Sequence, residues 1–245
     1  MTTTGFLLAA AADEAGSGAL FHIGPAPVTP AVIGLWVVMG FLLLLGWLMV
    51  RRLEEVPNSR LQNVLELAIE GLHAWTSRIM GPERAWRYLP IPATFFLFIL
   101  TANYSGLIPL LPSLPWYVPP TSHWGVTAGL AVFVFLFVQY TAIRATRGAY
   151  YKHMFQPLWL TPLMLPLGLI EELVRPFSLS LRLFANIFAG ETALAVMISI
   201  VAAIPFLLPL PIFVTALELV AGFVQALIFT TLTAVYVGAA SEHHH

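Results

Sequence analysis

The sequence predicts an all-α integral membrane protein with about five membrane-embedded helical segments and one amphipathic surface helix. Hydrophobic residues make up 59% of the 245 residues and charged residues only 9%, whereas soluble domains carry roughly 25% charged residues. The apolar residues form continuous runs instead of the apolar–polar alternation of a membrane barrel. Because a helix satisfies its own backbone hydrogen bonds inside the bilayer, these runs predict helices.

The composition also excludes several functions. The chain has no cysteine, which removes disulfides and thiol chemistry. Its net charge of -1 gives no basic footprint for nucleic acid, so no nucleic-acid partner is expected. A phosphate-binding loop of the G-x-x-x-x-G-K-[ST] type is absent from the sequence, so nucleotide chemistry must lie on another chain. We expect neither a cofactor nor a metal.

Five apolar segments within a single membrane domain of residues 31–245 predict the embedded helices. They cover residues 31–50, 88–111, 124–143, 158–203 and 206–240. The last two are too long for upright spans, because about 20 residues cross the hydrocarbon core and 40 helical residues measure roughly 60 Å. Each must break or lie strongly tilted, and we expect two long, strongly tilted helices with a proline-rich turn between them.

Lysine and arginine residues predict the orientation. Six lie between residues 51 and 87, and four lie between residues 144 and 175. By the positive-inside rule both segments are cytoplasmic. The N-terminus, with an external lead of residues 1–30, is then outside, and five crossings bring the C-terminus into the cytoplasm. The lead lacks the basic start of a signal peptide, so we expect it to belong to the mature chain.

Residues 59–80 are too polar to span a membrane, but they place apolar side chains on one helical face. The apolar residues are Leu61, Val64, Leu65, Ala68, Leu72, Trp75 and Ile79. This pattern predicts an amphipathic helix on the cytoplasmic surface. The helix either docks a partner or rests among the lipid head groups, and the sequence leaves both open.

One cation, Arg182, has no place in this cytoplasmic assignment and falls inside the predicted membrane helix of residues 158–203. An arginine at the centre of a bilayer costs about 3 kcal/mol on insertion scales, and its guanidinium cannot shed its proton to escape that cost. A water-filled cavity, a carboxylate or both must offset the cost. A structural salt bridge or a side chain reaching the interface is the alternative, but intramembrane ionisable residues are functional by default.

Polar residues on the same long segment accompany Arg182. Ser178 and Asn186 lie four residues before and after it, so the three share one helical stripe. Glu191 lies nine residues after Arg182, on roughly the opposite face, and Glu171 and Glu172 precede it. The spacing predicts a polar path along this helix.

The last segment adds a second row of polar groups. Glu218, Gly222, Gln225 and Phe229 share one stripe, and Glu218 and Gln225 are the strongly polar members. Each carboxyl group could be neutral or paired. Together with an arginine on the neighbouring segment, they indicate an ion path with a charge barrier.

Four segments closely resemble the F-type ATP synthase a-subunit family, in its bacterial, cyanobacterial and plastid branch. The motifs are Arg175-Pro-Phe-Ser-Leu-Ser-Leu-Arg-Leu-Phe-Ala-Asn-Ile-Phe-Ala-Gly-Glu191, residues 222–236 (GFVQALIFTTLTAVY), residues 103–109 (NYSGLIP), and Val56-Pro57 with residues 62–66 (QNVLE). They keep the family's order and extend from about residue 30 to the end of the chain.

The resemblance implies a proton-conducting stator subunit that is not a catalyst by itself. Its partners would be a ring of c subunits and the b-type peripheral stalk, which the amphipathic helix would help to dock. The location implied is the bacterial plasma (inner) membrane. Arg182 would face the ring's carboxylates, force each to release its proton, and block a leak between two aqueous half-channels that couple proton flow to ring rotation and ATP synthesis.

The resemblance also implies roles for the other polar residues. Gln225 would hold Arg182, and Asn186 would be a polar lining residue. The half-channel open to the outside would contain Glu191 and Glu218. The cytoplasmic path would contain Glu172 and Glu171.

The loop before the third span departs from the family pattern. Many members carry an Asp and an Asn there, in a Thr-x-Asp-x-Asn pattern, whereas this chain has His123 and Gly125. His123 could replace a channel carboxylate as a titratable group, and a plain interfacial histidine is the alternative. At Glu218, relatives often carry His or a smaller residue, and we hypothesise that Glu218 shares a proton with Glu191.

The sequence disfavours three other classes of protein. An ion-coupled secondary transporter would use intramembrane Arg and Glu for its substrate, but paired inverted repeats are not evident in the sequence. An intramembrane enzyme would need a motif such as H-E-x-x-H or G-x-S-x-G, and neither occurs. A purely structural scaffold does not explain why an arginine, Arg182, lies inside a membrane helix.

Overall fold

The computed structural model describes residues 21–23, 26–51, 60–108, 116–146, 161–207 and 209–241. Seven helices follow one another within these ranges. They are α1 (Pro30–Val50), α2 (Arg60–Met80), α3 (Pro82–Tyr88), α4 (Pro90–Leu107), α5 (Trp124–Thr146), α6 (Thr161–Ala203) and α7 (Pro209–Ala240). Short 3₁₀ turns occupy Pro120–Ser122 and Pro205–Leu207.

The predicted fold class is confirmed. Five helices, α1, α4, α5, α6 and α7, are long and apolar enough to cross a membrane by length and composition. The structure adds one small feature, an antiparallel hairpin of β1 (Phe21–Ile23) and β2 (Ala26–Val28) that immediately precedes α1. The first twenty residues of the predicted external lead lie outside the described residues.

Helix α6 is a single helix of 43 residues, so it measures about 65 Å. It stays continuous through Pro166 and Pro176, which resolves the choice between a broken and an unbroken segment. A helix more than twice as long as the ~30 Å hydrocarbon core remains within that core only when strongly tilted. The turn Pro205–Leu207 lies between α6 and α7, where the proline cluster predicts one.

Helix α7 is the central packing element. It packs most extensively against α4 and also contacts α5, α6 and α2. Ala226, Phe229 and Val237 of α7 are completely buried, and the ring of Phe229 lies 5.4 Å from that of Phe95 on α4. Gly222 allows close approach, because a Cβ there would lie 3.3 Å from the Cβ of Asn103.

The amphipathic helix α2 docks on α7 through its second half. Trp75 Nε1 donates a hydrogen bond of 3.0 Å to Thr231 Oγ1, and Leu72 and Met80 are buried. In the first half of α2 apolar side chains such as Val64 remain exposed. The helix therefore both contacts the bundle and offers an uncovered apolar surface.

The segment before α5 closes one end of the bundle. Its 3₁₀ turn Pro120–Ser122 contacts α1, α4, α5 and α6. Gly34 of α1 lies directly against the carbonyl of Val118, so a side chain at position 34 would collide with the backbone. This packing holds the residues around Ser122 next to the polar part of α6.

Candidate functional site

Arg182 lies on an exposed face of α6. Its neighbours Leu179 and Leu183, at 1% and 0% exposure, are buried in the core beside this face. The Arg182 side chain is exposed and has neither a hydrogen bond nor an ion pair within the part of the chain that the structure describes. An unpaired guanidinium on a membrane helix requires water or a partner's carboxylate to offset its cost.

Small side chains surround Arg182 on this face. Ser178, Ala185 and Ala189 are exposed and lie at spacings of three to four residues along the same stripe. Asn186 is half-buried and turns toward a cavity on one side of the stripe. The stripe therefore gives another protein close access to the guanidinium.

A polar cavity of about 30 Å³, here called the Glu191 cavity, lies between α4, α6 and α7. Its polar lining consists of Asn103, Asn186, Glu191 and Glu218. The structure thus brings three of the predicted residues together and adds a fourth, Asn103. A space of this size and polarity can hold one or two water molecules.

The backbone around the Glu191 cavity leaves room for the Glu218 side chain. Gly190 lies against the Glu218 side chain, and a Cβ there would lie 2.9 Å from Glu218 Cγ. Asn103 Nδ2 donates to the carbonyl of Gly222 at 3.2 Å, which attaches α4 to α7 beside the cavity. Asn103 Oδ1 and Glu218 Oε2 are buried without a hydrogen-bond partner among the described residues. Unpaired buried acceptors next to a polar cavity indicate bound water.

The segment before α5 adds hydroxyl groups beside Glu191. Tyr117 donates a 2.5 Å hydrogen bond to Ser105 Oγ, and Ser122 lies within hydrogen-bonding reach of Glu191. Burial raises the pKa of the Tyr117 hydroxyl, with the Ser105 hydrogen bond lowering it and the nearby Glu191 raising it. Tyr117 is therefore a neutral donor at physiological pH.

A second, mostly apolar cavity, here called the Glu172 cavity, lies between α5, α6 and α7 and measures about 20 Å³. Gln139 of α5 donates a hydrogen bond from Nε2 to Glu172 Oε2. Tyr236 of α7 and Arg175 also line this cavity, and the Arg175 guanidinium lies 5.4 Å from the Tyr236 ring centre. Pro176 has no N–H, so the Glu172 carbonyl loses its usual helical hydrogen bond.

The structure separates the two adjacent glutamates. Glu171 forms an exposed ion pair with Arg175 one turn along the helix, whereas Glu172 points to Gln139 and the cavity. Exposed ion pairs of this kind contribute little to stability.

Two further predicted residues lie outside both cavities. His123 is half-buried, and its backbone carbonyl accepts the N–H groups of Val126 and Thr127 at the start of α5. Gln225 is buried on α7, and its Nε2 has no hydrogen-bond partner among the described residues. No hydrogen bond joins it to Arg182, so that support stays a prediction.

No role for Asn103, Gln139 or Tyr117 was predicted from the sequence. Asn103 and Gln139 are strongly polar residues inside the otherwise apolar helices α4 and α5, and that isolation was the available signal. Tyr117 belongs to a loop without periodicity, so only its packing reveals it.

The two cavities lie on either side of Arg182 along α6. Glu172 precedes Arg182 by about 15 Å of helix and Glu191 follows it by about 14 Å. Neither cavity is large enough for more than water, and both contain groups that accept or donate protons. No group of three His, Asp or Glu residues that could hold a metal is found among the described residues. The arrangement is suited to moving protons.

Residues 32–238 match the family model described as ATP synthase A chain. The ATP synthase subunit a of Moorella thermoacetica is 41% identical over 220 residues, which cover 89% of this chain and 93% of the relative. That of Gloeobacter violaceus is 37% identical over 238 residues, covering 96% and 93%. The ATP synthase subunit a 2 of Syntrophotalea carbinolica is 38% identical over 211 residues, covering 86% and 85%.

Proposed function

This chain belongs to the ATP synthase A chain family, and from that premise we propose that it conducts protons to and from a rotating ring through two half-channels separated by Arg182. The observation that carries the proposal is the position of Arg182. It is exposed and unpaired among the described residues, and one small cavity with a glutamate in its wall lies on each side of it along α6.

The Glu191 cavity is proposed as the half-channel that opens to the outside. Protons would reach it past Ser122 and Tyr117 and pass to Glu191 and Glu218. A carboxylate of the c ring, brought opposite this end of α6, would take up the proton. Loss of its charge would let that ring subunit move into the lipid, because a neutral carboxyl group is tolerated there.

The Glu172 cavity is proposed as the cytoplasmic half-channel. After the ring has turned, a returning protonated carboxyl group would release its proton toward Glu172 and Gln139. The ionised carboxylate would then be attracted to the Arg182 guanidinium, which remains charged at any physiological pH. Asn186 would help to hydrate the guanidinium on the side of the Glu191 cavity.

Arg182 would also prevent a direct leak. A fixed positive charge repels protons, and the two cavities do not share a lining residue among those described. Passage then requires motion of the ring, so that the membrane potential drives rotation. Each elementary charge that crosses 100 mV supplies about 2.3 kcal/mol.

The same proposal assigns the remaining partners and the location. The exposed apolar part of α2 is suited to a peripheral stalk of b-type subunits or to the lipid surface. The chain itself would be a non-catalytic part of the complex in the bacterial plasma (inner) membrane, with its N-terminus outside and its C-terminus in the cytoplasm. A secondary transporter would need a substrate site beside Arg182, and the two small cavities do not provide one.

Cysteine cross-linking tests the contact between the Arg182 face and the ring. The chain has no native cysteine, so Ala185→Cys introduces a single thiol on the exposed stripe. In the complete complex we expect oxidation to link it to a cysteine placed beside the ring carboxylate. Leu43→Cys, at an exposed position on α1, is the control and should give no product. Cross-linking from Leu43 and not from Ala185 would contradict the proposed ring contact.

A further inference from the structure

A third cavity lies apart from the Arg182 site, at the junction of α3 and α4 and beside the end of α5. It measures about 720 Å³ and includes Ser241, the residue after α7, in its wall. It shares no lining residue with the Glu191 cavity or the Glu172 cavity, so it does not belong to the proposed proton path. The start of α4 and the end of α5 meet here, and both are ends of candidate membrane helices on one side of the bundle.

The cavity is strongly basic. Arg84, Arg87 and Arg144 line it, and Glu83 is the one carboxylate among its lining residues within the described chain. Three positive charges and one negative charge leave a net charge of +2. Neither Arg87 nor Arg144 has a carboxylate partner in the described ranges. Both side chains are exposed to solvent, and two guanidinium groups that face one cavity without a carboxylate partner attract an anion.

Aromatic side chains hold these guanidinium groups in place. Arg144 Nη1 donates a 2.8 Å hydrogen bond to the Tyr140 hydroxyl. The Arg87 guanidinium lies 5.9 Å from the ring centre of Tyr88. Tyr88 and Tyr140 both line the cavity, and tyrosine is enriched where a membrane meets water. The arginines are therefore oriented before any ligand binds, which reduces the entropy lost on binding.

The remaining wall of the cavity is apolar. Ile91, in the first turn of α4, and Phe137, about two and a half turns before the end of α5, continue the surface from the arginines toward the membrane-spanning part of the bundle. A cavity with a cationic end and an apolar end fits a ligand with an anionic head and an apolar body. A free inorganic anion would contact the arginines but would not cover the apolar wall.

We propose that this basic cavity binds the phosphate-bearing head group of an anionic phospholipid. The forked guanidinium groups of Arg87 and Arg144 would each donate charge-assisted hydrogen bonds to the phosphate oxygens. The acyl chains would extend past Ile91 and Phe137 into the bilayer. The volume lies within the range of specific ligand sites, and basic pockets between membrane helices are suited to such head groups. The bound lipid would connect α3, α4 and α5 to the end of α7.

Photo-cross-linking of the complete complex tests this site. The probe is a phosphatidylglycerol with a photoreactive acyl chain, presented in phosphatidylcholine vesicles, and labelled peptides are identified by mass spectrometry. In the wild type we expect labelling on α4 and α5 near Ile91 and Phe137. The double variant Arg87→Gln with Arg144→Gln should label at least about tenfold less, because two charge-assisted contacts are lost.

Two comparisons decide between the sources of the phosphate. Arg51→Gln is the matched control, since Arg51 also lies over an aromatic ring, that of Trp47 at 3.8 Å, but outside the cavity. It should label like the wild type. Inorganic phosphate at equal ionic strength should not displace the lipid more than chloride does. Equal labelling of the double variant, or displacement by inorganic phosphate alone, would overturn the proposal of a lipid site.

Discussion

Glu191 of α6 and Glu218 of α7 line one cavity, and Gly190 leaves the space that the Glu218 side chain occupies. Two carboxyl groups that line one cavity can titrate as a coupled pair. We predict that Glu191→Gln changes the infrared titration of the Glu218 carboxyl band in the complete complex. Glu171→Gln, which alters an exposed carboxylate elsewhere on α6, should leave that band unchanged. An unchanged infrared titration of the Glu218 band in Glu191→Gln would contradict the hypothesis that the two carboxyl groups share a proton.

Gly190→Ala tests whether the position of Glu218 matters for proton flow. The new methyl group would overlap the end of the Glu218 side chain, so the carboxyl group must move out of its place in the Glu191 cavity. We expect ATP-driven proton pumping to fall about tenfold or more, as when a proton-transfer group is misplaced, while the complex still assembles. The control is Gly129→Ala on α5, where an added Cβ meets nothing within 4 Å. Normal pumping by Gly190→Ala would show that the position of the Glu218 carboxyl group does not matter for proton flow.

Asn103→Leu separates a packing role from a role in the proton path. Asn103 and Tyr104 each donate one hydrogen bond from α4 to a backbone carbonyl of α7, at 3.2 Å and 3.1 Å. Such bonds contribute about 0.6 kcal/mol in membrane proteins, so Asn103→Leu and Tyr104→Phe should lower the free energy of unfolding by similar amounts. Only Asn103 lines the Glu191 cavity, and only Asn103→Leu should slow pumping. Equal pumping by the two variants would show that Asn103 serves packing alone.

Glu172 and Glu171 are adjacent in sequence but should differ in function. Glu172 accepts a hydrogen bond from Gln139 at the second cavity, whereas Glu171 forms an exposed ion pair with Arg175. We predict that Glu172→Gln slows proton pumping and that Glu171→Gln leaves it near the wild-type rate, because exposed ion pairs contribute little. The rates are compared in vesicles at equal amounts of assembled complex. The reverse order of effects would place the cytoplasmic path on the other side of α6.

The all-α class, the family resemblance and the five candidate membrane helices were predicted correctly from the sequence. They depend on long apolar runs and on local motifs, which a sequence displays directly. The continuity of α6 was an open choice, since Pro166 and Pro176 lie within it. Its continuity depends on tertiary packing against α5 and α7, which local propensity does not report.

The composition of the cavities was only partly predictable. Glu191, Glu218 and Asn186 were each identified from polarity in an apolar segment, and the structure brings them together. The pairing of Glu172 with Gln139 joins two helices and depends on their rotation against each other, which periodicity within one helix cannot supply. The roles of His123 as a titratable group and of Gln225 as a support for Arg182 stay predictions.

ATP-driven proton pumping by the complete complex in membrane vesicles, with Arg182→Ala in place of Arg182, tests the central claim most directly. The control is Arg78→Ala, which removes an exposed arginine of α2 that lines neither cavity. We predict that pumping vanishes in Arg182→Ala although the complex assembles, and that Arg78→Ala pumps normally. Pumping near the wild-type rate without Arg182 would contradict its role as the barrier between the two half-channels.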